Sequence, residues 1–322
     1  MKTAAIAGFG NWGRKLVKSI EGTSDRLRFG VIISRDPERV AEDANQIGAD
    51  VVTTLEEALV RTDVDCIVLA TPHSMHAEQV KLCAQAGKPV FVEKPFALTL
   101  ASAESALKAC PPDMVVAAGH NRRFLPSVQR LSQEIAAGTL GRVLFAEANF
   151  SGNVAGKYHR GQWRASGTES PAGGLAGAGI HMIDLIVHLI APVSRVTALS
   201  RRQVLEIEMD DTTAALLELE NGASATLVSL MATVPTFRLK IFGTEASAEL
   251  DGEHKLTISR QDAAPEVMTY DPAETERMEL EAFADAVSGR QEYPVGRAEI
   301  LNGIAAFEAI GTSAATSRWV DL

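Results

Sequence analysis

Residues 3–20 read TAAIAGFGNWGRKLVKSI, an apolar run that meets three glycines and passes into an amphipathic stretch. The spacing predicts a buried strand up to Ala7, a turn over Gly8-Phe9-Gly10-Asn11-Trp12-Gly13, and a helix from about Trp12 to Ile20. Gly8 permits the tight turn, Gly10 lets backbone approach a pyrophosphate, and Gly13 lets the helix pack closely while its N-terminus faces the anion. A later glycine run, GGLAGAG at 173–179, follows a loop instead of a strand. It reads as backbone freedom near a site and not as a second phosphate cradle.

Working outward, strand-like and helix-like stretches alternate through RFGVIIS, PERVAEDANQIG, ADVVTT, CIVLATP, HAEQVKLCAQAG and PVFVEK to MVVAAGH. Short apolar strands separated by amphipathic helices imply repeated βαβ units and a parallel sheet covered on both faces. The pattern changes after Gly119. A helix LPSVQRLSQEIAAG, a strand RVLFAEANFSG, a long glycine-rich loop and a helix IHMIDLIVHLI lead to TTAALLELE, ASATLVSLMAT and FRLKIFGT, with an Asn221-Gly222 turn between the first two of these strands. Tight turns between consecutive strands imply an antiparallel sheet. The fold class expected is α/β: a dinucleotide-binding parallel sheet over 1–119, then an α+β domain over 120–322 built on a largely antiparallel open sheet.

The chain has 322 residues, 46% hydrophobic and 22% charged, with a formal net charge of −10. No apolar run approaches the roughly 20 residues that span a bilayer. The first ten residues read as a strand and not as a secretory leader. The negative charge argues against binding to nucleic-acid backbones, although Arg122-Arg123 and Arg201-Arg202 stand as local anion candidates. Three cysteines, Cys66, Cys83 and Cys110, lack the spacing of a disulfide framework or zinc site, which fits a reducing cytoplasm.

The second strand ends at Ser34-Arg35, with Arg39 one turn on, where an acid would grip the ribose hydroxyls of NAD. A hydroxyl and two guanidinium groups suit a 2′-phosphate, so NADP is the expected cofactor and NAD the alternative. The competing reading leaves both arginines in solvent and gives the ribose to Asp36. Lys94 follows the fifth strand at the carboxyl end of the sheet, where ligands of open parallel sheets bind. Pro95 removes a donor and stiffens the point at which that ammonium is presented. His73 and His76, in the loop after the fourth strand, make a weak metal pair without a third ligand, so no metal is expected.

The ordered set GxGxxG, ATPHSMH at 70–76, AGKPVFVEKP at 86–95, GHNRRF at 119–124, GGLAGAGIHMID at 173–184 and the ending EAIGTSAATSRWV resembles the Gfo/Idh/MocA family. The resemblance implies a Rossmann domain, NAD(P)-dependent oxidation or reduction of a sugar, polyol or similar hydroxyl compound, and a second domain that builds homodimers or homotetramers. It implies that Lys94 hydrogen-bonds the reacting oxygen and that His181 exchanges its proton. An ammonium and a group titrating near neutrality suit the charge that develops on that oxygen. It also places Thr71, Pro72, His73, His76 and Glu93 near the cofactor, with Trp163-Arg164 reaching it from the long loop, although Trp163 reads equally as a core anchor. Asn121, Tyr158 and Asp184 are the further substrate candidates; His159 shares the loop with Tyr158, and His188 shares a helix face with His181.

One departure stands out. Related dehydrogenases carry an Asp four residues before the catalytic His, where this chain has Gly177. Asp184, three residues after His181, can face the same site, because helical side chains lean toward the N-terminus. Gly177 also motivates an alternative function, a nucleotide-bound sugar sensor that has kept the fold and lost catalysis.

Overall fold

The structure is a computed structural model that describes residues 1–154 and 157–322. The chain folds into two compact units. Unit 1 is Met1–Asn121 with Glu274–Ile300, and unit 2 is Arg122–Ala273 with Leu301–Leu322.

Unit 1 holds six strands, β1 (Lys2–Ala7), β2 (Leu27–Ile33), β3 (Asp50–Val52), β4 (Cys66–Leu69), β5 (Val90–Glu93) and β6 (Val116–Gly119). They form one parallel sheet in the order β3-β2-β1-β4-β5-β6. Helices α1 (Asn11–Ile20), α2 (Ala41–Ile47), α3 (Leu55–Leu59), α4 (His76–Gln85) and α5 (Leu100–Ala109) are the crossovers. β4, β5 and β6 are buried at every residue, the mark of a sheet covered on both faces. The strand order reverses direction between β1 and β4, and such a switch point opens a crevice at the carboxyl ends of the strands.

Unit 2 begins with α6 (Pro126–Ala136), β7 (Val143–Asn153) and α7 (Gly179–Leu189), followed by β8 (Val193–Arg201), β9 (Thr212–Leu219), β10 (Ser224–Leu230), β11 (Ala232–Gly243), β12 (Ala246–Asp251), β13 (Lys255–Arg260) and β14 (Glu266–Thr269). After α8 (Thr275–Val287) and α9 (Arg297–Thr316), β15 (Val320–Asp321) closes the nine-stranded sheet, ordered β14-β13-β12-β11-β7-β10-β9-β8-β15. Among the described residues only the β7–β10 pair is parallel, so the sheet is mixed and mostly antiparallel. The Asn221-Gly222 turn joins β9 to β10 as expected, with Gly222 at φ +84°. Strands β12 to β14 go beyond the sequence reading, which stops at FRLKIFGT. Each is short and half polar, and each gains its place only from the neighbour it pairs with.

Helix α8 lies in the C-terminal stretch that the sequence reading assigns to 120–322, yet it packs as part of unit 1. Leu280, Phe283 and Ala284 join Ile6, Leu16, Phe29 and Phe91 in one core, and the rings of Phe91 and Phe283 sit 5.8 Å apart. Tyr293 packs edge-on against Phe91 and donates its hydroxyl to the Ala118 carbonyl at 2.9 Å. Arg297 donates to the carbonyls of Leu107, Cys110, Pro111 and Met114, tying the stretch after α8 to the turn between α5 and β6.

Candidate active site

The turn after β1 is built as a phosphate cradle. Gly8 has φ +91°, and a Cβ there would lie 2.3 Å from the Ala70 carbonyl, so the turn packs against the end of β4 at the switch point. A Cβ on Gly13 would meet the Gly8 carbonyl oxygen at 2.4 Å, whereas one on Gly10 would meet nothing within 4 Å. Two glycines are thus filled by protein and the middle one faces open space. That pattern fits a dinucleotide whose pyrophosphate lies against Gly10 and the α1 N-terminus.

Arg14 braces this turn, a role the motif does not reveal. It donates to the Phe9 carbonyl at 3.1 Å, lies 5.0 Å from the Phe9 ring centre, and forms a forked pair with Asp43 at 2.8–3.2 Å. The guanidinium holds the Asp43 carboxyl below the ordinary carboxylate range. Lys15 stands 4.8 Å from the Trp12 ring centre and pairs with Glu276 of α8 at 2.6 Å. Asn121 donates to the same Glu276 carboxylate at 3.1 Å and to Thr275 at 3.3 Å. Asn121 therefore ties the end of β6 to α8, and its amide nitrogen is engaged inside unit 1.

At the end of β2, Ser34 donates to the Asp36 carbonyl at 2.8 Å, and the Arg39 backbone N–H donates to the Asp36 carboxylate at 3.3 Å. Asp36 is thus turned to capping the next helical turn, while Arg35 and Arg39 are exposed. Beyond β4, Thr71 donates to Gln79 at 2.5 Å, Pro72 leads into a short 3-10 turn, and His73 stacks edge-on with His76 at 6.0 Å. Both nitrogens of His76 face backbone carbonyls, those of Pro95 and Thr71. Among the described residues no group of three or more His, Cys, Asp or Glu is arranged to hold a metal ion. Glu93 is buried at the last position of β5, Lys94 is half-buried, and the Lys94–Pro95 peptide is cis. β5 lies two strands from β1, so Lys94 starts about 10 Å across the sheet edge from the cradle.

In unit 2, His181, Asp184 and His188 share one face of α7. Asp184 is clasped by Arg123 through bonds of 2.6–3.1 Å, with the Arg123 and Asp184 side chains 2% and 5% exposed. Arg123 also lies 3.2 Å from His188 Nδ1. The carboxylate that sequence reasoning offers to the substrate is therefore engaged in a buried ion pair; breaking such a pair costs about 3–5 kcal/mol. Arg122, the other half of the basic pair, binds Glu253 at 2.9 Å, so neither guanidinium of that anion candidate lacks a carboxylate. His181 is 6% exposed and its ring sits 5.7 Å from that of Phe150.

The glycine run before α7 is packed, not cradle-like. A Cβ on Gly173 would lie 2.0 Å from the Asp210 carbonyl oxygen, and one on Gly174 2.1 Å from the Met231 sulfur. Gly177 is the exception: its nearest neighbour would be the Gly174 carbonyl oxygen at 3.8 Å. Trp163 lines a pocket of about 540 Å³ with Arg160, Gln162 and Arg202, and Arg164 stacks 4.2 Å from the Trp163 ring centre. Tyr158 packs on the apolar cluster of Leu205, Ile207, Met209 and Met231, and the His159 backbone N–H donates to Gln162.

A dinucleotide-type parallel sheet with an open phosphate turn, joined in sequence to a mixed sheet whose helix carries a buried histidine, defines a two-domain nucleotide-dependent class of protein. Residues 2–118 match the oxidoreductase family with an NAD-binding Rossmann fold, and residues 128–249 match the GFO/IDH/MocA C-terminal domain; the chain belongs to the Gfo/Idh/MocA family. It is 44% identical over 138 residues to 4-carboxy-2-hydroxymuconate-6-semialdehyde dehydrogenase of Sphingobium sp.. That match covers 42% of this chain and 44% of the relative, so the chain spans less than half of that protein's length. Over 335 residues it is 26% identical to D-apiose dehydrogenase of Paraburkholderia graminis, covering 96% of this chain and 84% of the other. Levoglucosan dehydrogenase, solved with NADH and levoglucosan, has the same fold, with a TM-score of 0.90 over 99% of each chain at 22% identity. No helix among the described residues is long and apolar enough to cross a membrane.

Proposed function

We propose that this protein is an NADP-preferring dehydrogenase or reductase that transfers a hydride between the nicotinamide and a carbon bearing a hydroxyl or carbonyl group in a sugar- or polyol-like substrate. The observation that carries the reading is the open face of Gly10 between two filled glycines, on the sheet edge from which Lys94 also emerges. D-apiose dehydrogenase, whose match covers 96% of this chain, supports the sugar-like substrate class. The Ser34, Arg35 and Arg39 surface, with Asp36 turned to its own cap, supports NADP over NAD.

When bound, a nicotinamide cofactor supplies or accepts the hydride. Gly8, Gly10 and Gly13 shape the backbone that receives its pyrophosphate, and the α1 N-terminus stabilises the negative charge. The Lys94 ammonium donates a hydrogen bond to the reacting oxygen and offsets the charge that grows there. His181 takes the hydroxyl proton in oxidation and returns it in reduction. Arg123 neutralises Asp184 one turn further along α7, and Asn121 and Tyr158 stay the further candidates for substrate contact. We assign the protein to the cytoplasm, supported by three buried free thiols, two of which burial pushes up to about 12. A homodimer or homotetramer, with the half-buried face of β9 and β10 covered by a second copy, completes the proposal.

The test is NADPH absorbance against a panel of sugars, ketoses and inositols, followed by Lys94→Ala and His181→Ala. Each substitution is expected to lower turnover at least about a hundredfold, the lower range for acid-base groups. Near-normal rates in both would sink the assignment. NADPH binding without turnover across the panel would favour the sensor, the reading that Gly177 motivates.

A further inference from the structure

We propose that His76 is a positioning residue, a doubly protonated imidazole that clamps the carbonyls of Pro95 and Thr71 and thereby fixes the direction in which Lys94 leaves β5. The ring is 0% exposed. Its Nδ1 lies 2.8 Å from the Pro95 carbonyl oxygen and its Nε2 3.0 Å from that of Thr71. A carbonyl oxygen offers only lone pairs, so each contact is a hydrogen bond only when the ring nitrogen carries a proton. A neutral imidazole has one N–H and would set a bare nitrogen against the second oxygen, with no solvent to relieve the repulsion. Burial and the neighbouring Lys94 ammonium both oppose a second proton on the ring, and two charge-assisted bonds to carbonyl oxygens are what offset that cost in the proposed clamp.

The two carbonyls are not arbitrary. One belongs to the residue next to Lys94, and Pro95 has no N–H through which that turn could be tied instead. The other belongs to Thr71, whose backbone nitrogen a Cβ on Gly8 would meet at 2.5 Å. One buried ring thus joins the ends of β4 and β5, holding the lysine turn in register with the phosphate turn. His73 contributes the neighbouring imidazole and Gln79 is engaged by the Thr71 hydroxyl; on the chain that supplies the Pro95 carbonyl, Glu93 is a buried carboxylate and Lys94 a half-buried cation. Glu78 and Lys81 of α4 pair with each other toward the surface. Charge-assisted bonds from an imidazolium are shorter and stiffer than neutral ones, which suits a part that must not drift.

Two measurements decide the matter, and only the kinetic one rests on the role proposed for Lys94. Heteronuclear NMR of wild-type protein with labelled histidine, at near-neutral pH, is expected to show a proton on each ring nitrogen of His76. A single protonated nitrogen overturns the clamp. In kinetics, His76→Gln replaces two opposed N–H donors by one amide and is expected to lower kcat about tenfold or more, as small misplacements of catalytic groups do. In a Lys94→Ala background the same change should cause no further loss; additive losses would mean that His76 does not act through Lys94, and would overturn the positioning role. Near-normal turnover by Lys94→Ala alone would remove the catalytic reading of that lysine, and the NMR result would then decide the clamp by itself.

Discussion

Two glycine runs open two helices in this molecule, and they are used differently. In Gly8–Gly13 the outer glycines are filled by the protein's own backbone and the middle one faces open space. In Gly173–Gly179 the glycines at 173, 174 and 179 are filled by Asp210, Met231, Leu175 and Ser229, and only Gly177 stands open. The first run turns directly from a parallel strand into α1, at the switch point of the sheet. The second threads a short 3-10 turn between loops of unit 2 before α7 begins. Glycine content alone does not mark a ligand site; the deciding property is whether the space where a side chain would stand is already taken.

The comparison is most easily broken at the filled positions. Gly173→Ala must adopt φ +61° and push its methyl into the Asp210 carbonyl. Left-handed strain and overpacking against rigid backbone together cost about 2–4 kcal/mol. A fall in Tm of about 5 °C or more is expected by calorimetry, and an unchanged Tm would show that the second run is not packed as described.

The wall against Gly173 is itself pinned by Asp211, which supplies the next test. Burial raises the Asp211 pKa, but N–H donors of Leu205, Val204 and Gln203, with the Thr212 hydroxyl, outweigh it and hold the carboxyl below its ordinary value. A depressed folded pKa adds stability above the unfolded pKa and loses it as pH falls through the folded one. Asp211→Ala should therefore cost about 1–3 kcal/mol at neutral pH. The gap between wild type and variant should shrink as pH falls below about 4. A gap independent of pH would remove the carboxylate from the explanation.

Gly10→Ala separates binding from folding. Its methyl meets nothing within 4 Å, so Tm should stay within about 1 °C of wild type, the range of a neutral surface change. The Kd for NADPH, by fluorescence titration, should rise about tenfold or more, because close backbone approach to the pyrophosphate is what the glycine provides. Unchanged affinity would detach the open space from the cofactor.

How far the sequence could carry this depends on distance along the chain. Strand, turn and helix over residues 3–20 are one local signal, and so are the Asn221-Gly222 hairpin and the Glu-Lys-Pro at the end of β5. The partners that complete each part are not local. Arg123 and Asp184 lie 61 positions apart, and Arg14 meets Asp43 across 29. No spacing rule links such residues, although a basic pair beside a buried strand and an acid one turn past a histidine were separately visible. Helix α8 shows the same limit: Leu280 and Phe283 announce a buried face, and nothing in that face says which sheet will cover it. The second glycine run was legible in kind only, since its filled and open positions depend on loops that follow later in the chain.

Gly177 is where the two runs can be compared most finely, because it is the open position of the second as Gly10 is of the first. Gly177→Ala and Gly177→Asp should each hold Tm within about 1 °C, since a Cβ there makes only an ordinary contact at 3.8 Å. NADPH affinity should not change in either variant, which sets this position apart from Gly10. If the open space beside Gly177 belongs to the substrate side of the site that His181 serves, the Asp variant alone should shift the KM of the best substrate by about fivefold or more, the worth of one hydrogen bond near 1 kcal/mol. A shift produced equally by Ala would assign the effect to bulk, and no shift in either would place residue 177 outside the site, leaving His181 without help from that turn.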